Sequence, residues 1–254
     1  PVEQETLRRQ RMGIPRHYGS QLYLWLLLMV LYAPIALIAV FSFTKSQVLG
    51  NRTSFSMDLY ANLFTGHDDA GLNRAIWYTV VIALVAATGA TILGTLAAIG
   101  IYIMRARSRK VVSLLNSVPM INPDIITGIS LMLMFVFIGR LFGASTSLSF
   151  WTMLIAHVTF CLPYVILSVL PRIEGLGKSL TEAALDLGCT PLQSFFRVEL
   201  PNIMPGVLSG FVIAFTLSLD DFVISYFVGS SSFQTLPLLI YSMTKKKVTP
   251  DMYA

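Results

Sequence analysis

Three carboxylates occupy positions where a carboxylate is costly. Asp124, Asp220 and Asp221 lie in or beside long uncharged runs of the chain. Inside a membrane span each costs about 2.5–3.5 kcal/mol on insertion scales, so a functional use is the default reading. Their shared chemistry is cation binding. A flexible chain with several ammonium groups needs carboxylates at intervals, aromatic faces between them and no site that traps it. Ser218 is within a helical turn of Asp220 and Asp221 and offers an oxygen ligand. Phe215, Phe222, Tyr226 and Phe227 bring rings nearby. Packing accounts for most such rings, and Tyr226 is the expected cation–π wall because its hydroxyl is poorly placed in lipid. Asp124 follows Asn122-Pro123, so it is also a candidate helix N-cap. Neighbours on a continuous helix point about 100° apart, so at most one of Asp220 and Asp221 faces a pathway squarely.

Other chemistries fare worse. His157 and Cys161 are four apart on one helical face, but two ligands are too few for a metal, and a packed histidine is expected. Two cysteines make no disulfide framework. An aspartyl hydrolase needs two opposed carboxylates, one kept protonated, which adjacent Asp220 and Asp221 do not provide. No phosphate-cradling Gly-x-x-x-x-Gly-Lys-Ser/Thr occurs, so ATP is not hydrolysed by this chain. No catalytic residue, metal site or nucleic-acid partner is expected.

The elements that must position the carboxylates follow from composition. Of 254 residues, 55% are apolar and 12% charged, against about 25% charged in soluble domains. Mean hydropathy is +0.70. A soluble enzyme, a disordered chain and a secreted disulfide scaffold are excluded. The fold class is all-α integral membrane, one domain embedded in lipid. Uncharged runs place spans at about 21–43, 75–104, 118–139, 150–171 and 204–228. The third has a broken start, because the apolar run after Asp124 reaches only about 22 Å at helical rise. Residues 222–244 make a poor helix, with a polar middle at 229–235. Asp220 and Asp221 could mark the end of an 18-residue helix at the outer interface, but 222–228 carry no break signal, so the fifth helix is expected to continue through 228, burying the pair about 10 Å deep, with 229–254 outside the membrane. Thr91, Gly94, Thr95 and Gly100 put small residues along the second span for close packing.

Arginines at 8, 9, 11 and 16 and the basic run 105–110 place those segments in the cytoplasm, whereas 44–74 is balanced and lies outside. Segment 172–201 is then cytoplasmic. Lys245-Lys246-Lys247 falls outside, against the rule.

In 172–201, residues 181–187 favour a short helix stopped by Gly188, and Pro191 starts another. Ala183 and Ala184 leave room beside Glu182 for a partner's groove. The run Glu182-Ala183-Ala184, three residues, Gly188, nine residues, Val198, one residue, Leu200-Pro201 resembles the EAA signature of ABC importer permeases. Residues 123–130, 157–163 and 215–221 are similar to the spermidine and putrescine branch of that family. The resemblance implies a type I ABC importer permease bundle in the bacterial inner membrane, multi-pass, with a cytoplasmic N-terminus. It implies a sister permease sharing the pathway, an ATPase homodimer that holds ATP and Mg, and an extracytoplasmic polyamine-binding protein. No cofactor belongs to this chain. Such permeases have six helices, so a sixth span is expected to be missing after Ala254. Another solute, such as ferric ion, is the rival cargo.

Overall fold

The computed structural model describes residues 18–43, 70–143, 148–230 and 233–246, whose regular structure is all helical, with no strand among them. Two units divide the chain, residues 1–68 with 246–254 and residues 69–245. In the first, α1 (Tyr18–Ser42) is apolar around its whole circumference, and its residues 21–40 are exposed. The second holds α2 (Ala70–Ile103), α3 (Ala106–Ile121), α4 (Asp124–Leu141), α5 (Phe150–Gly175), α6 (Lys178–Asp186) and α7 (Pro191–Ser194). A wide π-helical turn (Phe195–Glu199) leads into α8 (Leu200–Leu219), and α9 (Val223–Val228) and α10 (Leu236–Lys246) follow. Helices long and apolar enough to cross a membrane cover Gln21–Val40, Gly71–Ile103, Asp124–Leu141, Phe150–Gly175 and Pro191–Leu219.

The core is three helices brought close by small residues. On α2, Ala83, Ala86, Ala87, Ala90 and Ala98 are completely buried. On α8, Gly206, Gly210, Ala214 and Ser218 recur every fourth residue and form one buried stripe. A Cβ on Gly94 would stand 2.8 Å from Val165, and one on Gly210 would stand 3.2 Å from the same side chain. Val165 of α5 is thus held between glycines of both neighbours. Lipid tails are as apolar as leucine, so close backbone approach is what holds such helices together. The contacts also fix register. Gly89 meets Val158 and Gly94 meets Val165, so α2 and α5 run parallel; Gly210 meets Val165 and Gly206 meets Arg172, so α8 is antiparallel to α5. Of the small residues singled out on the second span, Gly94 lies in this seam, whereas Gly100 faces open space.

The third span is broken, and the break has a local cause. Residues before proline avoid the helical region. Asn122 precedes Pro123 and is extended (φ −74°, ψ 141°), so α3 ends at Ile121 and α4 starts at Asp124. The apolar stretch expected at 118–139 is therefore two helices. Arg109 of α3 pairs with Glu174 of α5, and Asn116 Nδ2 donates to the Pro163 carbonyl at 3.4 Å. So α3 runs along α5 from its Gly175 end to its middle, and α4 begins at mid-depth.

The expected continuous helix over 204–228 is corrected. The run Pro191–Leu219 ends at Leu219, Asp220–Phe222 are non-helical, and α9 restarts at Val223. Residues beyond it return to the Phe150 end of the bundle. Leu236 N–H donates to Thr79 Oγ1 at 2.7 Å, and the Phe233 ring meets Tyr78 and Phe150 at 5.3 and 5.8 Å. At 11 residues, or about 17 Å, α10 is too short to cross about 30 Å of hydrocarbon. Residues 1–17, 44–69 and 247–254, which carry part of the orientation reading, lie outside the described residues.

Gly94→Val should push Val165 aside and destabilise the protein by about 1–3 kcal/mol. Gly100→Ala, built into open space, should be neutral or stabilising by about 0.5–1 kcal/mol. Thermal unfolding in detergent measures both, and equal Tm values for the two variants would contradict this packing.

Candidate functional site

The fold brings all three carboxylates to one cavity. It measures about 260 Å³ and is lined by Asp124 from α4, Phe160 from α5, Thr216 and Leu217 from α8, and Asp220, Asp221, Phe222 and Val223 at the break. Phe160 lies ten residues into α5, about 15 Å from its Phe150 end, so the cavity sits near the middle of the hydrocarbon. Asp124 occupies the first position of α4, not the N-cap, which is Pro123. Asp124 and Asp220 are both exposed.

Asp221 is different. Its Oδ1 accepts from Ile224 N–H at 3.3 Å and its Oδ2 from Ser225 N–H at 2.8 Å, capping the first turn of α9. The residue is 9% exposed. Charge-assisted hydrogen bonds contribute about 1.5–3 kcal/mol each, so two of them offset the insertion cost. The 100° rule for neighbours fails here because Asp220 and Asp221 are not on one helix. The break lets both line the same cavity.

Two sequence-selected residues do not line it. Ser218 is buried, with its Oγ 2.8 Å from His157 Nδ1. Tyr226 is half exposed and packs its ring on Phe222, Phe227 and Tyr241. The aromatic walls are Phe160 and Phe222 instead. Phe160 lies on another span, one turn beyond His157 within the 157–163 motif, and no spacing along the chain tied it to the carboxylates. His157 is likewise the ionisable neighbour of Asp221, with Nε2 3.7 Å from Oδ2. Cys161, paired with His157 in sequence, is buried with Sγ 3.4 Å from the Ala214 carbonyl oxygen.

The second feature is the segment after α5. Glu182, Ala183 and Ala184 lie in α6. Glu182 and Ala183 are exposed, but Ala184 is 6% exposed and packs against this chain, so it is not free for a partner. Gly188 has φ +86°, its N–H donates to the Leu185 carbonyl, and Cys189 N–H donates to that of Ala184. This is a Schellman stop, which favours glycine because other residues rarely adopt positive φ. Thr190 and Gln193 form a capping box that starts α7 at Pro191. Leu200 opens α8 directly from the π-helical turn, its N–H donating to the Phe195 carbonyl, and Pro201, which has no N–H to donate, follows it. A cavity of about 320 Å³ lies beneath α6, lined in part by Tyr102, Glu182 and Glu199, and Thr181 Oγ1 donates to Glu199 Oε1 at 2.9 Å. Leu187, Leu192 and Phe196 are 86%, 71% and 61% exposed. Sequence reasoning passed over this apolar surface.

Residues 90–247 match the family described as binding-protein-dependent transport system inner membrane component. The chain is 38% identical over 239 residues to the spermidine/putrescine transport system permease protein PotC of Haemophilus influenzae, covering 94% of this chain and 90% of that one. It is 40% identical over 225 residues to the putrescine transport system permease protein PotI of Escherichia coli, covering 88% and 79%. Among solved structures it is similar to a bacterial ABC transporter involved in the import of the acidic polysaccharide alginate. The TM-score is 0.74 at 16% identity, covering 100% of this chain and 91% of that one, which is a likeness of fold.

Asp221→Asn should destabilise the protein by about 1–3 kcal/mol, because the amide's NH₂ would face a backbone donor that is left unpaired. Asp220→Asn, at an exposed position, should stay within about 0.5 kcal/mol. Thermal unfolding of the two variants checks this. A neutral Asp221→Asn would show that the cap does not hold the break.

Proposed function

The chain belongs to the family of binding-protein-dependent transport system inner membrane components, and from that membership we propose that it carries polyamines across the membrane. It is a multi-pass permease subunit of an ABC importer. Its cargo is a flexible polyammonium chain such as spermidine or putrescine, the substrates named for its relatives. The observation that carries this reading is the convergence of Asp124 and Asp220 on one cavity at mid-depth, with Phe160 and Phe222 as its walls. Carboxylates from two separate elements suit two ammonium groups on one chain, and the rings suit the alkyl and cationic faces between them. The site binds and releases; it makes and breaks no bond.

The remaining assembly follows the family plan. A sister permease completes the pathway, and an extracytoplasmic binding protein delivers cargo to the Phe150 end of the bundle. A cytoplasmic ATPase pair, where ATP and Mg reside, docks on the segment of Glu182, Ala183 and Gly188. The exposed Leu187, Leu192 and Phe196 give that surface the apolar anchors a docking interface uses. The N-terminus and the basic run at 105–110 lie on the same cytoplasmic side.

Uptake of radiolabelled polyamine by cells expressing the whole transporter tests the cargo reading. Asp220→Asn should lower uptake about tenfold and Asp124→Asn less, with the amount of protein in the membrane unchanged. Normal uptake by the Asp124→Asn, Asp220→Asn double variant at wild-type expression would sink it.

Docking is tested separately. Gly188→Val forces a β-branched residue into positive φ and should lower recovery of the ATPase with the permease by about tenfold. An ATPase-associated and fully active Gly188→Val complex would refute the coupling role.

A further inference from the structure

His157 is fully buried in α5, and its imidazole reaches the chain before, at and after the break. Nδ1 is 2.8 Å from Ser218 Oγ in the last turn of α8. Nε2 is 3.2 Å from Ser225 Oγ in α9 and 3.7 Å from Asp221 Oδ2 between them. A neutral imidazole has one donor and one acceptor nitrogen. The carboxylate beside Nε2 favours the proton there, which leaves Nδ1 to accept from the Ser218 hydroxyl. The hydroxyl of Ser225 and the oxygens of Asp221 then take the Nε2 side, while Asp221 still accepts from Ile224 and Ser225 N–H.

Any two hydroxyls would satisfy a buried histidine. These partners do more than that, because they belong to two helices whose own backbone ladder is interrupted between them. Without a link, the end of α8 and the start of α9 are joined only by residues 220–222. That is the segment on which Asp220 faces the cavity. One turn along α5, Phe160 forms the cavity wall, so a single helix supplies both the wall and the link.

We propose that His157 is a positioning residue for transport: by tying the last turn of α8 to α9 it fixes the broken segment and keeps Asp220 turned into the acidic cavity. This rests on the transport reading of the cavity, and adds a residue that touches no cargo.

The test has a readout that needs no cargo. In the assembled transporter carrying Cys189→Ser, a cysteine is placed at the break by Asp220→Cys, and its rate of reaction with a water-soluble maleimide is measured. Cys161 is buried and stays in place. Adding His157→Leu should change that rate about fivefold or more, as expected when two hydrogen bonds holding a segment are lost. In the chain with Asp220 intact, His157→Leu should lower polyamine uptake about tenfold, while complex yield and ATP hydrolysis stay within about twofold. His157→Gln, whose amide reaches toward Ser225, should restore at least half of the uptake. Ser225→Ala keeps the imidazole and removes one link, and should shift the thiol rate in the same direction.

An unchanged thiol rate in both His157→Leu and Ser225→Ala overturns the proposal. So does an uptake loss that merely follows a loss of assembled complex, or one that His157→Gln leaves unrepaired. If the wild-type transporter takes up no polyamine, the cargo reading falls, and the thiol rate still decides the role of His157.

Discussion

One carboxylate bonded to backbone holds the rest of the site in place. Asp221 accepts from Ile224 and Ser225 N–H, starting a second helix where the first has ended. If the chain from Pro191 ran on as one helix past Leu219, Asp220 would be one more residue on a helix face. Instead, the backbone opens for three residues at mid-depth. Irregular backbone is tolerated there only where protein buries it or a cavity receives it. Both conditions hold, since Asp221 is buried by α5 and α9 while Asp220 faces the cavity.

The cap works because the surrounding helices are close. Glycines at 94 and 210 let α2 and α8 approach Val165 from two sides, and Gly128 lets α4 approach the Phe227 ring of α9. That last contact brings Asp124 to the break. In lipid no hydrophobic drive pushes helices together, so this shape fit carries the energetics. A single methyl group at these seams shifts helix positions, which makes the site's geometry depend on residues with no polar atoms in their side chains.

The helical run Pro191–Leu219 joins the two functional regions. It is about 43 Å long at helical rise, with one π-helical turn near its start. At one end are the exposed Leu192 and Phe196 of the proposed docking surface; at the other is the broken segment with Asp220. The Gly188 stop and the Thr190 capping box set where that run begins, and the Asp221 cap sets where the next helix begins. Local capping chemistry thus sets the start of this run and the start of the helix that follows it.

The sequence by itself determined the class, the position of most apolar spans, the segment with the EAA-like pattern and the three carboxylates. Each is a local signal: uncharged runs of span length, a glycine stop followed by a proline start, and charges where charge is costly. Pro123 marked the break in the third span because a residue before proline avoids the helix. The second break had only the Asp220-Asp221 pair to suggest it, since residues 219–228 carry no proline or glycine and favour one continuous helix. Tertiary structure decided it. It also separated Asp221, the cap, from Asp220, which faces the cavity, removed Ser218 and Tyr226 from the lining, and brought in Phe160 and His157. The physical reason is range. The hydrogen bonds that join His157 to Ser218 and Ser225 span 61 and 68 residues, and no helical period or capping rule reaches that far along a chain.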